Sequence, residues 1–87
     1  MRDHFIVGVH ITDRVQNAAE VQAILTEHGR NIRTRLGLHE ADADGASPSG
    51  LILLETVGPE DQIDALCDSL GRLRGVQVQR MFFSHPT

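Results

Sequence analysis

The chain has 87 residues, twelve of them acidic and eight basic, for a formal charge of −4. One domain with a thin core of about 3–5 kcal/mol is what this length supports, and the acidic balance argues against a protein whose main task is gripping a phosphate backbone. Cys67 is the only cysteine, so self-association rather than disulfides is the expected further source of stability, and no apolar run is long enough for a membrane span, which predicts a cytoplasmic setting.

From His4 to Ile11, Phe5, Val7, Val9 and Ile11 are apolar at alternate positions. That period of two marks a strand with one buried face, leaving His4, Ile6, Gly8 and His10 on the other. Thr12, Asp13 and Arg14 follow as a short polar connection. Asn17 and Glu20 have capping-box spacing, which predicts a helix from Asn17 with Ala18, Val21, Ile24 and Leu25 on one side. A left-handed glycine at Gly29 is expected to stop it.

Alternation returns over Asn31–Leu38, with Ile32, Thr34, Leu36 and Leu38 on one face and Arg33, Arg35, Gly37 and His39 on the other. Residues 40–49 are acidic and rich in Gly, Ser and Pro, which predicts a mobile loop. Gly50–Val57 reads as a strand whose run Leu51–Leu54 suggests burial on both faces. Pro59 opens a second helix with Glu60, Asp61 and Asp64 near its positive end. Ile63, Leu66, Cys67, Leu70 and Leu73 form its apolar stripe, and Gly75 ends it. Val76–Phe83 is the last strand, with Val76, Val78 and Phe82 as inward candidates and Gln77, Gln79 and Met81 outward.

The order β-α-β-β-α-β predicts an α+β, ferredoxin-like sandwich: a four-stranded antiparallel sheet with two helices on one face. It would occupy residues 1–87 as a single domain with a core over 4–83, and the first and third strands would be central. The bare face would show His4, Ile6, Gly8, His10, Arg33, Arg35, Gly37, His39, Gln77, Gln79 and Met81. Either Leu51, Leu53 and Glu55 or Ile52, Leu54 and Thr56 would join them. Such a face, or a sheet edge, is where a homodimer or tetramer would form.

Few motifs carry chemistry. The acids of residues 40–45 have the opening spacing of a calcium loop, but Leu51 stands where a bidentate carboxylate is needed. None of the five histidines is at i, i+2 or i, i+4 from another, and His4 and His10 lie about 20 Å apart along a strand. Only an intersubunit site built from His10 and His39 stays open. Cys67, on an apolar stripe between Asp64 and Asp68, reads as core. The chain has no Gly-rich phosphate loop. Phe5 points to the helix side, and the third strand has no aromatic to stack a base. No cofactor, direct nucleic-acid contact or membrane contact is expected.

As a whole, the chain resembles the iron-only hydrogenase system regulator family, whose members have an ACT-like fold related to the C-terminal domain of nickel-responsive regulators. The likeness covers about residues 4–82. It rests on the strand His4–Ile11 running into Thr12-Asp13-Arg14, the helix over residues 21–25, Arg35-Leu-Gly-Leu38, the Leu51–Leu54 strand, and Leu70–Val78. The resemblance implies a helix-backed sheet that dimerises, with a small ligand at the subunit interface. Two family patterns are missing. The first-strand loop lacks the Pro-Gly turn of amino-acid-binding ACT domains, and there is no His-x-His strand to hold nickel. With no DNA-binding segment before residue 1, a regulatory role is expected to act through a partner.

The leading expectation is therefore a non-enzymatic regulatory or ligand-sensing module, homo-oligomeric, working with a small-molecule effector or a partner protein. Thr12, Asp13 and Arg14 are the first candidate ligand contacts, with His10, Arg35 and His39 a second set. One alternative is a small dimeric enzyme using a cavity between sheet and helices, with Thr34 as the main inward polar residue. The other is a metal sensor with an interfacial His site.

Overall fold

The computed structural model describes residues 4–39 and 50–84, leaving aside the side chains of Arg14, Val15, Leu38 and His39. The loop expected at 40–49 lies outside the described residues. The elements are β1 (His4–Ile11), α1 (Arg14–Glu27), a 3-10 turn (Gly29–Asn31), β2 (Ile32–His39), β3 (Gly50–Thr56), α2 (Glu60–Gly71) and β4 (Val76–Phe83). The antiparallel sheet has the order β2-β3-β1-β4, so the two most apolar strands are central.

Alternation in β1 sets the layers. Phe5, Val7, Val9 and Ile11 are buried beneath the helices and meet Val21 and Leu25 of α1 and Ile63, Leu66, Cys67 and Leu70 of α2. Leu54 belongs to the same layer with no exposure. Its neighbours Leu51 and Leu53 take the bare face and are half-buried, so the run is closed on one side and open on the other.

Three local expectations are corrected. Asp13, not Asn17, caps α1: its carboxylate accepts from the Gln16 amide at 3.2 Å. Asn17 sits inside the first turn, where its Nδ2 donates to the Asp13 carbonyl. Gly29 is not left-handed, because the chain leaves α1 through His28 into the 3-10 turn. In α2, Pro59 is the cap rather than the first helical residue, and the helix closes at Gly71.

The largest correction concerns β2. Ile32 pairs with Thr56 and Thr34 with Glu55, so the register shifts between them and Arg33 is the extra residue of a bulge. One extra residue inverts every later side chain. Arg35 and Gly37 therefore align with Leu54 and Ile52 on the helix side, while Thr34 and Leu36 align with Glu55 and Leu53 on the bare face. The expectation that placed Arg35 and Gly37 on the bare face and Thr34 inside is overturned for that reason.

Candidate functional site

The β1–α1 junction is built by the end of one strand, the start of one helix and the turn before β4. The Thr12 amide donates to the Gly75 carbonyl at 2.9 Å. Gly75 has φ +81, a conformation that favours glycine. A Cβ there would stand 3.5 Å from Asn17 Nδ2 and 3.9 Å from Thr12 Cβ, ordinary contact distances, so it is φ rather than space that favours glycine. Thr12 is exposed, Asp13 half-exposed and Asn17 buried. Arg14 opens the helix, and its side chain lies outside the described residues.

The second half of the chain repeats this joint with a different filling. The Val57 amide donates to the Asn31 carbonyl at 2.9 Å, as Thr12 does to Gly75. Here an asparagine stands where the first joint has a glycine. Asn31 Nδ2 donates to the Val57 carbonyl and to Gln62 Oε1. A Cβ on Gly58, whose φ is +112, would lie 2.6 Å from that nitrogen. The Asn31 side chain fills the second joint, whereas in the first it is Asn17, from the helix, that packs beside the glycine. The sequence marks Asn17 and Gly75 only as a helix cap and a helix stop, Asn31 only as the start of a strand, and Gln62 not at all. The signal that was there is their spacing, Thr12 to Asn17 matching Val57 to Gln62.

The remaining candidates do not gather at the first joint. His10 is exposed on the bare face, between Leu51 and Gln77. Arg35 donates to Gln22 Oε1 of α1 at 3.2 Å on the helix side. His39 pairs through its backbone with Gly50, so it is not a cross-strand partner of His10. Among the described residues no group of three or more His, Cys, Asp or Glu side chains converges as a metal site would require.

The bare face carries Leu36 and Met81, 53% and 57% exposed, beside half-buried Ile6, Leu51 and Leu53. At one end His4 Nε2 lies 3.2 Å from Glu55 Oε2, and Thr34 donates to the other oxygen of Glu55. On the helix side, a groove of about 720 Å³ runs between α2 and β4, lined by Cys67, Asp68, Arg72, Val78 and Arg80 among others. Arg80 reaches Asp64 at 2.6 Å and lies over the Phe5 ring. Burial pushes the Cys67 thiol up from its ordinary value, and Asp64 and Asp68 add to the shift against the opposing pull of Arg80.

Within the sandwich, the described core is aliphatic apart from Phe5, Cys67 and three buried polar residues. Those three, Asn17, Asn31 and Thr56, all donate to main-chain carbonyls. They are structural ties rather than a convergent polar pair. No helix among the described residues is long and apolar enough to cross a membrane.

Comparison with known proteins agrees with this geometry. The family model described as "TM1266-like: Iron-only hydrogenase system regulator, putative" matches residues 4–80. A search of curated proteins found no match. Among solved structures, the uncharacterized protein TM1266 from Thermotoga maritima superposes with a TM-score of 0.82 at 23% identity, covering 95% of this chain and 100% of that one. The ACT domain from the GTP pyrophosphokinase of Chlorobium tepidum gives 0.65 at 23% identity, with 93% and 89% covered. CPII, a nitrogen regulatory PII-like protein from Thiomonas intermedia K12 bound to ADP, AMP and bicarbonate, gives 0.60 at 10% identity, with 95% and 97% covered. At these identities the likeness shows the shared ACT- and PII-like fold.

Proposed function

The chain belongs to the TM1266-like family of iron-only hydrogenase system regulators, and from that premise we propose that it is a non-enzymatic, ligand-sensing regulatory module working as a cytoplasmic homo-oligomer. The observation that carries the reading is the bare sheet face. A central band of Leu51, Leu53 and Ile6, continued outward by Leu36 and Met81, is left uncovered by the chain's own helices. Apolar surface of this kind, rimmed by polar residues such as His10, Gln77 and Glu55, marks a contact surface.

An effector would lie against the first joint, where a glycine stands in place of Asn31 and Thr12, Asp13 and Arg14 are the proposed contacts. His10 stands next to it in sequence on the bare face. Arg35 and His39 belong to β2, two strands away, and would meet that effector only from a neighbouring subunit. The ADP and AMP held by the Thiomonas PII-like protein make adenine nucleotides a natural first class to try.

A thermal-shift screen of nucleotides, amino acids and divalent metals tests the sensing role. A ligand at one hundred times its Kd raises stability by about 2.7 kcal/mol, easily seen in a small domain. A rise in Tm with one class, reduced in an Asp13→Ala variant, is the expected result. A flat response to all three classes would overturn ligand sensing.

A further inference from the structure

The sheet order leaves β4 with one side paired to β1 and the other side open. Its register with β1 runs without a shift from Ile11↔Val76 to His4↔Phe83, so the open side carries an unbroken row of main-chain N–H and C=O groups. β2, the other outer strand, is broken by its bulge and flanked by exposed Arg33 and Arg35, features that discourage a further strand. The one charge on β4, Arg80, is drawn off the edge to Asp64. Val76, Val78 and Arg80 pair with Ile11, Val9 and Val7, which are buried beneath the helices, so these three point to the helix side. There α2 and β4 enclose the groove of about 720 Å³.

The groove is apolar along its length and charged at its ends. Cys67, Val76 and Val78 line it, and Gly71 leaves a gap in its helical wall, since a Cβ there would meet nothing within 4 Å. Arg80, held by Asp64 and lying over the Phe5 ring, closes one end. Arg72 stands at the other end, exposed and without an ion pair among the described residues. We propose that this edge takes up an extended segment of a partner protein, which adds along β4 as a fifth strand. Alternate aliphatic side chains of that segment enter the groove, and an acidic one meets Arg72.

Charge complementarity selects a different protein over a second copy. Neither outer strand of this chain, IRTRLGLH in β2 or VQVQRMFF in β4, carries an acidic residue to offer Arg72. An antiparallel segment suits the sheet, which is antiparallel throughout, and ends where β4 begins, beside Arg72. From Val76 to Arg80 the strand spans about 13 Å. Five residues of the partner cover that length, three of them facing the groove. One added strand makes a contact below the size of stable interfaces, so reversible binding is expected.

The proposal needs neither the effector nor the bare face, and fluorescence anisotropy with the full chain tests it. The probe is a labelled, C-terminally amidated hexapeptide of alternating threonine and valine with glutamate as its last residue, which puts both valines and the glutamate on the groove side. It should bind reversibly. Arg72→Glu should weaken binding by about tenfold and should prefer the same peptide ending in lysine. Gly71→Leu should weaken it as much by filling the groove, where its Cβ has open space. The exposed Arg72 decides the matter if that variant does not fold. A peptide N-methylated at its edge-facing amides should not bind, because it cannot donate to β4. No binding of the probe would overturn the proposal, as would binding indifferent to methylation or to both substitutions. Sedimentation velocity covers the remaining occupant. A dimer that Gly71→Leu dissolves, with no peptide bound to the parent chain, would give the groove to a second copy and overturn the proposal as well.

Discussion

Asn31 Nδ2 donates at once to Gln62 Oε1 at 2.8 Å and to the Val57 carbonyl at 3.0 Å, tying the start of β2 to the turn between β3 and α2. Asn31 is 4% exposed, and Val57 and Gln62 are half-buried. Asn31→Ala should cost about 1–3 kcal/mol, read as a lower urea midpoint. Gly58→Ala should also destabilise, because its Cβ would meet that nitrogen and its φ is +112. The two effects should fall short of additive, since Asn31→Ala removes the obstructing atom but not the backbone strain.

Asp13 holds the first turn of α1 through the Gln16 amide. Asp13→Ala should lose about 1 kcal/mol, and Asp13→Asn much less, since asparagine caps about as well. Chemical denaturation with unchanged m values would locate the effect in the native helix. An unchanged midpoint in Asp13→Ala would show that Asn17 or another residue can assume the cap.

Cys67 is buried and its thiol is pushed above the ordinary value of 9.0. In the folded chain the proton is held where the unfolded chain has already released it. Stability should therefore be flat below about pH 9 and fall as pH rises from there toward the folded value. Thermal melts from neutral to alkaline pH check this, with Cys67→Ala losing that part of the slope. At neutral pH the thiol should react with a disulfide reagent only at the rate of opening.

Leu53 lies on the bare face next to Gly8 and Leu36. Leu53→Glu should keep the far-ultraviolet spectrum of the parent while removing any assembly that stacks sheet on sheet. Light scattering after size exclusion reads the outcome. An assembly size unchanged from the parent would remove the bare face from the interface.

Much of the architecture was legible because it is periodic. The alternation of Phe5, Val7, Val9 and Ile11 fixed the buried face of β1, and Val76 and Val78 did the same for β4. The α2 stripe through Ile63, Leu66, Cys67 and Leu70 was equally plain. What escaped was aperiodic. The bulge at Arg33 has no marker in composition, yet it reversed the face of Arg35 and so divided the second set of candidate contacts. Asp13 and Asn17 are both competent caps four residues apart, and in the fold Asp13 takes the cap while Asn17 is buried in the first turn. The difference between the two joints, glycine in one and Asn31 in the other, depends on residues far apart in the chain that meet only once the sheet is formed.

The pairing of His4 with Phe83 bears on how the chain comes to fold. β1 is the first strand to be synthesised, yet both of its neighbours, β3 and β4, come from the second half of the chain. Until they arrive, both of its edges are unpaired, and closing such long loops is what slows domains of high contact order. A nascent chain cut before Val76 would present Phe5, Val7 and Val9 on a strand with one open side, the kind of segment that aggregates or recruits a chaperone. Pairing of β4 along the whole of β1 is therefore what completes the sheet around its central strand.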